Sequence, residues 1–215
     1  MTATLYYIHD PMCSWCWGYR PVWDALQQTL PKSIKVQYVA GGLAPDTDSP
    51  MPIEQQKIIQ RHWHNIQQKL GTEFNFDFWT KNTPYRSTYI ACRALIAAQQ
   101  QGFHTQMLDA IQRAYYLRAL NPSNSDVLVK LATELSQQNN LQLTIDVNQF
   151  EKDLSSIETQ DRLNKEILLA QELTQQGFPS LVLKQKGKRY SITVDYLDYK
   201  TSLAQLQQII LLNSK

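Results

Sequence analysis

Leu5-Tyr6-Tyr7-Ile8-His9-Asp10-Pro11-Met12-Cys13-Ser14-Trp15-Cys16-Trp17 is the stretch from which the rest of the chain is read. The apolar run Leu5 to Ile8 predicts a strand, and a helix follows from about Ser14 to Leu30. Cys13 then stands at a helix N-terminus, where unpaired N–H groups and the positive end of the macrodipole stabilise a thiolate. Cys16 lies one helical turn on, within reach of the first sulfur. A reactive thiol and a resolving thiol so placed read as a dithiol–disulfide couple.

Two plainer readings compete with this one. Half a zinc site needs two further ligands, in a second Cys-x-x-Cys or a His pair of suitable spacing. Cys92, His9, His62, His64 and His104 offer no such spacing, so no metal is expected. Two inert packed cysteines are the other reading. Against it stands the position after a strand and at the opening of a helix, the context in which the motif is informative.

The 215 residues suffice for one large domain or two small ones, with a substantial core. A net charge of +2 gives no argument for nucleic acid or for a membrane surface. Residues 1 to 20 lack a basic stretch followed by an apolar run of roughly 7–15 residues, so no signal peptide is expected. Ile209-Ile210-Leu211-Leu212 is too short to span a bilayer. A cytoplasmic location is therefore expected, and there a cysteine pair is more often catalytic than structural.

Val22, Leu26 and Leu30 stripe the first helix, with Trp23 beside them and Pro21 expected to kink it. Ile34 to Val39 alternates and predicts a second strand, completing a βαβ unit if the two strands are parallel. Gly41-Gly42-Leu43-Ala44-Pro45 breaks the pattern, and a long helical stretch follows. Its stripes are Ile58/Ile59, Trp63, Ile66 and Leu70 up to Gly71; Ile90, Ala94 and Ala97/Ala98 after a cap at Ser87; Met107/Leu108, Ile111 and Tyr115; Leu128, Leu131/Ala132 and Leu135 after a cap at Ser125; and Leu163, Ile167, Ala170 and Leu173. Phe74 to Trp79 reads as an aromatic loop anchored in a core. Strands return at Leu181-Val182-Leu183 and Tyr190 to Val194, around the turn Gln185-Lys186-Gly187-Lys188. A last helix runs from about Ser202 to Leu212.

The order βαβ, helical block, ββα, with Cys-x-x-Cys opening the first helix and a proline before the third strand, resembles the DsbA family of the thioredoxin superfamily. The FrnE-like branch of disulfide isomerases and oxidoreductases is the most similar. The resemblance is carried by His9 to Gly18, Gly-Gly-Leu at 41 to 43, Ala-Cys-Arg-Ala from Ala91 to Ala94, and Gly-Phe-Pro-Ser from Gly177 to Ser180. It implies an α/β, thioredoxin-like fold over residues 1–44 and 177–215, interrupted by an all-helical insertion over 45–176. It also implies that Cys13 is the nucleophile, Cys16 the resolving thiol and Pro179 a cis-proline beside them. The Phe178 backbone would then present an edge to an extended substrate. No histidine lies between the cysteines, unlike strongly oxidising relatives, and this implies a less oxidising couple suited to reductase or isomerase work.

Asp10 either moves a proton to or from Cys16 or only starts the Asp-Pro turn. Trp15 is a candidate platform for apolar substrate segments, whereas Trp17 is expected to pack. Cys92 reads as a small core residue, and His62 and His64 as surface residues on different sides of a helix. Trp63, Trp79, Tyr115 and Tyr116 are expected in the core of the insertion.

The leading expectation is a thiol–disulfide oxidoreductase acting on protein or small-molecule disulfides. It needs no bound cofactor and draws electrons from a thiol such as glutathione. A glutathione-dependent isomerase or transferase, of the 2-hydroxychromene-2-carboxylate isomerase and kappa transferase type, is the alternative. In those proteins a serine near the helix start activates glutathione, and Ser14 lies beside Cys13. A non-catalytic chaperone or adaptor is a third reading, in which the cysteine pair has no purpose.

Overall fold

The computed structural model describes residues 3–138 and 144–212. In chain order the elements are β1 (Ala3–His9), α1 (Ser14–Thr29), β2 (Ile34–Ala40), α2 (Ile53–Leu70), α3 (Phe78–Lys81), α4 (Tyr89–Gln100), α5 (His104–Tyr116) and α6 (Ser125–Ser136). They continue with α7 (Val147–Leu154), α8 (Ile157–Leu173), β3 (Ser180–Gln185), β4 (Lys188–Ile192) and α9 (Tyr199–Leu212). Two compact units result, one of residues 1–41 with 166–215, the other of residues 42–165. No helix among the described residues is long and apolar enough to cross a membrane.

The first unit is an α/β unit on a sheet of order β2-β1-β3-β4. β1 pairs parallel with β2 and antiparallel with β3, and β3 pairs antiparallel with β4. Its two central strands are the apolar ones, because both faces of β1 are covered. Ala3, Leu5 and Tyr7 join Val22, Trp23 and Leu26 of α1 and Leu206 of α9 in one core. Ile8 joins Val39, Val182 and Ala170 in a second, smaller one. Burying side chains such as Leu5, Leu26 and Leu206 completely is worth roughly 2 kcal/mol each. Lys186 and Gly187 both have positive φ between Gln185 and Lys188, the geometry of the tight hairpin turn that matches strand twist.

Sequence reading placed the second junction at 177, whereas the sheet-bearing unit begins again at Glu166, inside α8. Side-chain contacts explain the difference. Ala170 packs with Ile8 and Val182, and the Glu166 carboxylate accepts the Ala40 N–H at 2.7 Å. α1 is continuous through Pro21.

Regular elements in the second unit are helices. Trp63 is fully buried at its centre, with the rings of Phe74, Phe76, Phe78, Trp79, Tyr115 and Tyr116 around it at centroid distances of 5.0 to 6.0 Å. Residues 74 to 79 are not all loop: Phe78 opens the single turn α3. Two caps fall one residue from their expected places. Thr88, not Ser87, precedes α4, and the Ser87 hydroxyl instead donates to Asp46. Asn124, not Ser125, caps α6, its side chain accepting the Asp126 N–H at 2.9 Å. α7 was not anticipated; Asp146 caps it by accepting from Gln149 N–H. Cys92 is fully buried, while His62 and His64 are exposed.

Candidate active site

The loop between β1 and α1 is a turn built by Asp10. Its carbonyl accepts the Cys13 N–H at 3.1 Å, and its carboxylate accepts the Met12 N–H at 2.8 Å. Asp-Pro starts such a turn because the carboxylate mimics a backbone acceptor and proline presets φ for the next position. Asp10 is fully buried.

The turn delivers Cys13 to the N-cap position of α1, with extended backbone and no side-chain capping bond. Its carbonyl accepts the Trp17 N–H at 3.1 Å, which starts the helix. Of this residue 7 % is exposed. Cys13, Cys16 and Cys92 are all free thiols in this structure.

Cys16 is 1 % exposed and hydrogen-bonded to Cys13. Burial, first of all, pushes its thiol well above the ordinary value, and the bond to Cys13 and the charge there add to this. Asp10 acts in both directions: its backbone hydrogen bond favours the Cys16 thiolate, and its charge opposes it. Cys16 thus stays protonated at neutral pH. Burial, and then the charges of Cys16 and Cys13, likewise raise the phenols of Tyr7 and Tyr196.

Opposite the cysteines, the chain enters β3 through Phe178 and Pro179, joined by a cis peptide bond. The Cys13 thiol donates to the Phe178 carbonyl at 3.5 Å, a weak sulfur hydrogen bond. Pairing of Ile8 with Ser180 sets this approach. Trp15, Phe178 and Pro179 line one groove together with Gln176, Gly177 and Tyr196.

Trp15, Phe178 and Pro179, expected to meet substrate, therefore share a groove, and Phe178 meets Cys13. Asp10 is in electrostatic contact with Cys16. Trp15 and Trp17 are both half-buried. Tyr196 was missed by sequence reasoning. Its ring stands edge-on to Trp15 at 5.1 Å and to Tyr19 at 5.6 Å. The Asp195 carboxylate fixes its loop, accepting the N–H groups of Leu197 and Asp198 at 2.9 and 3.1 Å. Asp195-Tyr196-Leu197-Asp198 carries no periodicity; its only sequence signal is an Asp that can build an Asx turn. Among the described residues no cluster of three or more His, Cys, Asp or Glu side chains is placed to hold a metal ion.

A strand-turn-helix carrying Cys-x-x-Cys, faced by a cis-proline at the start of an antiparallel strand, defines a thioredoxin-like protein. The chain belongs to the thioredoxin family: the family model described as Thioredoxin matches residues 6–204. A solved structure of a candidate protein disulfide isomerase from Nitrosomonas europaea is 29 % identical, with TM-score 0.82 over 100 % of both chains. The cytosolic disulfide reductase DsbM from Pseudomonas aeruginosa shares the fold, at 22 % identity and TM-score 0.76 over 97 % of this chain and 99 % of that one. It has also been solved with GSH. Among curated proteins, the ClpXP adapter protein SpxH of Halalkalibacterium halodurans is 22 % identical over 158 residues, 71 % of this chain. The chain spans about half the length of that relative, 49 %.

Proposed function

We propose that this protein is a thiol–disulfide oxidoreductase of the reductase or isomerase type, working in the cytoplasm on protein or small-molecule disulfides. The observation that carries the reading is the meeting of Cys13, at the head of α1, with the Phe178 carbonyl beside cis-Pro179 at 3.5 Å. The Cys13 thiolate attacks one sulfur of a substrate disulfide, and the other leaves as a thiolate that takes a proton. Cys16 then loses its proton and attacks the Cys13 sulfur. That step releases the second substrate thiol and leaves a Cys13–Cys16 disulfide. Two electrons and two protons from a thiol pair restore the dithiol, and glutathione is the donor we favour, in keeping with the DsbM structure with GSH. Trp15 and Phe178 flank the substrate along the groove, and Pro179, lacking an N–H, leaves that edge open. The reduction potential of the pair, measured in glutathione buffers, is expected near or below about −250 mV. A value above about −200 mV would mark an oxidant and overturn the reductase assignment.

Resolution is the step on which pH acts. Cys16 is held above its ordinary range, so the thiolate fraction, and with it the resolving rate, rises as pH increases through neutrality and beyond. We assign to Asp10 the acceptance of the Cys16 proton, for which its burial and contact with Cys16 suit it. Asp10→Asn is then expected to slow resolution at pH 7 and leave it rising more steeply with pH. An unchanged profile reduces Asp10 to a turn residue. A faster rate would mean that its charge, which opposes the Cys16 thiolate, outweighs any proton transfer.

The match to SpxH favours one second reading, an adapter that hands a client to a protease. Client degradation supported equally well by a Cys13→Ala/Cys16→Ala protein would establish it.

A further inference from the structure

Gly41 closes the last rung beyond β2, its N–H donating to the His9 carbonyl at 2.7 Å. Its φ lies outside the left-handed region, so backbone conformation does not demand glycine here. Space does. A Cβ built on Gly41 would stand 2.1 Å from Phe178 Cζ, 2.3 Å from Cε1 and 2.7 Å from Cε2, inside the 3.0 Å that real Cβ contacts respect. The Phe178 ring fills the volume that a side chain would need.

That ring borders two hollows. On one side is the groove with Trp15, Pro179 and Tyr196. On the other is a hollow lined by Gly41, Ala170, Gln171, Thr174, Gln175 and Gln176. Phe178 packs against the cluster of Ile8, Val39, Ala170 and Val182.

We propose that Gly41 is a positioning residue for exchange, acting through Phe178. Its bare Cα is the seat of the ring, and the seated ring fixes the wall of the groove beside Cys13. The proposal rests on the exchange reading above. A methyl group at position 41 evicts the ring tip, and the ring must enter one hollow or the other. A disulfide within a peptide, which must lie along Phe178 and Pro179, then loses its wall. A small aryl disulfide, which needs only the Cys13 sulfur, does not.

The test is rapid-mixing kinetics of the reduced full-length protein with two probes, 4,4′-dithiodipyridine and a disulfide-linked peptide. In G41A the peptide concentration for half-saturation is expected to rise about tenfold, with the maximal rate changed less than about threefold, since uniform binding is what is lost. The aryl disulfide rate is expected to stay within about twofold. F178L empties the seat, so G41A/F178L is expected to match F178L alone within about twofold on the peptide. This pair decides the matter even where G41A by itself does not fold. The proposal is overturned by unchanged peptide kinetics in G41A, by equal slowing on both probes, or by a G41A penalty that persists in the F178L background. Wild-type protein that exchanges with neither probe sinks the exchange reading, and this proposal with it.

Discussion

Cys16→Ser is expected to arrest the reaction halfway, as a covalent adduct of Cys13 with half of the substrate. Cys13, at the head of α1, has the helix terminus that a nucleophile needs and keeps 7 % of its surface open, whereas Cys16 is 1 % exposed and protonated at neutral pH. Attack therefore does not depend on Cys16, but release does. Mass spectrometry after mixing with a disulfide should find one adduct, on Cys13, removed by excess dithiothreitol. Cys13→Ser should lower the overall exchange rate by about a thousandfold or more, since no other thiol among the described residues stands at a helix terminus facing Phe178. Both variants should fold, as each replaces one small side chain with a slightly smaller one. An adduct found on Cys16 instead would invert the assignment of the two roles.

The largest effect expected on stability lies in the other unit. Trp63→Ala removes a fully buried indole from the middle of six aromatic rings, none of which lies on the same helix. Loss of transfer free energy together with the cavity left behind predicts a cost of about 3–5 kcal/mol. Denaturant unfolding followed by near-ultraviolet circular dichroism, which reports packed aromatic rings, should show the midpoint falling accordingly. A loss below about 1 kcal/mol would mean that the surrounding rings collapse into the space, and that Trp63 is not their keystone.

These residues also mark how much of the fold and of the site is legible in the sequence. The βαβ start was legible because its signals are local: an apolar run, an Asp-Pro turn, and a cysteine pair one helical turn apart. Phe178 and Pro179 were singled out through family resemblance, and their meeting with Cys13 depends on strand pairing across a long stretch of chain. The Trp63 core was legible only as a list of aromatics. Phe74, Phe76 and Phe78 alternate with polar residues as a strand would, yet Phe74 and Phe76 hang from irregular chain and Phe78 and Trp79 belong to one turn of helix, so their period is no guide to how they pack. α7 escaped because its eight residues bury only Phe150 and Leu154, too few to reveal a period. The caps slipped because Ser, Thr and Asn stand next to one another, and any of them can accept the orphan N–H. Gly41 belonged to a visible motif, Gly-Gly-Leu, but no local pattern announces that a distant ring occupies its side-chain volume.

The pairing of β1 with β3 carries a consequence of its own. Ile8 lies opposite Ser180, and that single rung sets how far the reactive sulfur stands from the carbonyl across from it. A ladder records only which residues face each other; it is indifferent to the length of chain strung between its two sides. The second unit, residues 42–165, can therefore lengthen, shorten or be exchanged for another without disturbing the reactive pair. A single residue added within either strand turns the following side chains to the opposite face of the sheet and carries the pair out of reach of each other. Changes of length in this lineage should accordingly be tolerated between residues 42 and 165 and forbidden in a few rungs that touch no substrate at all.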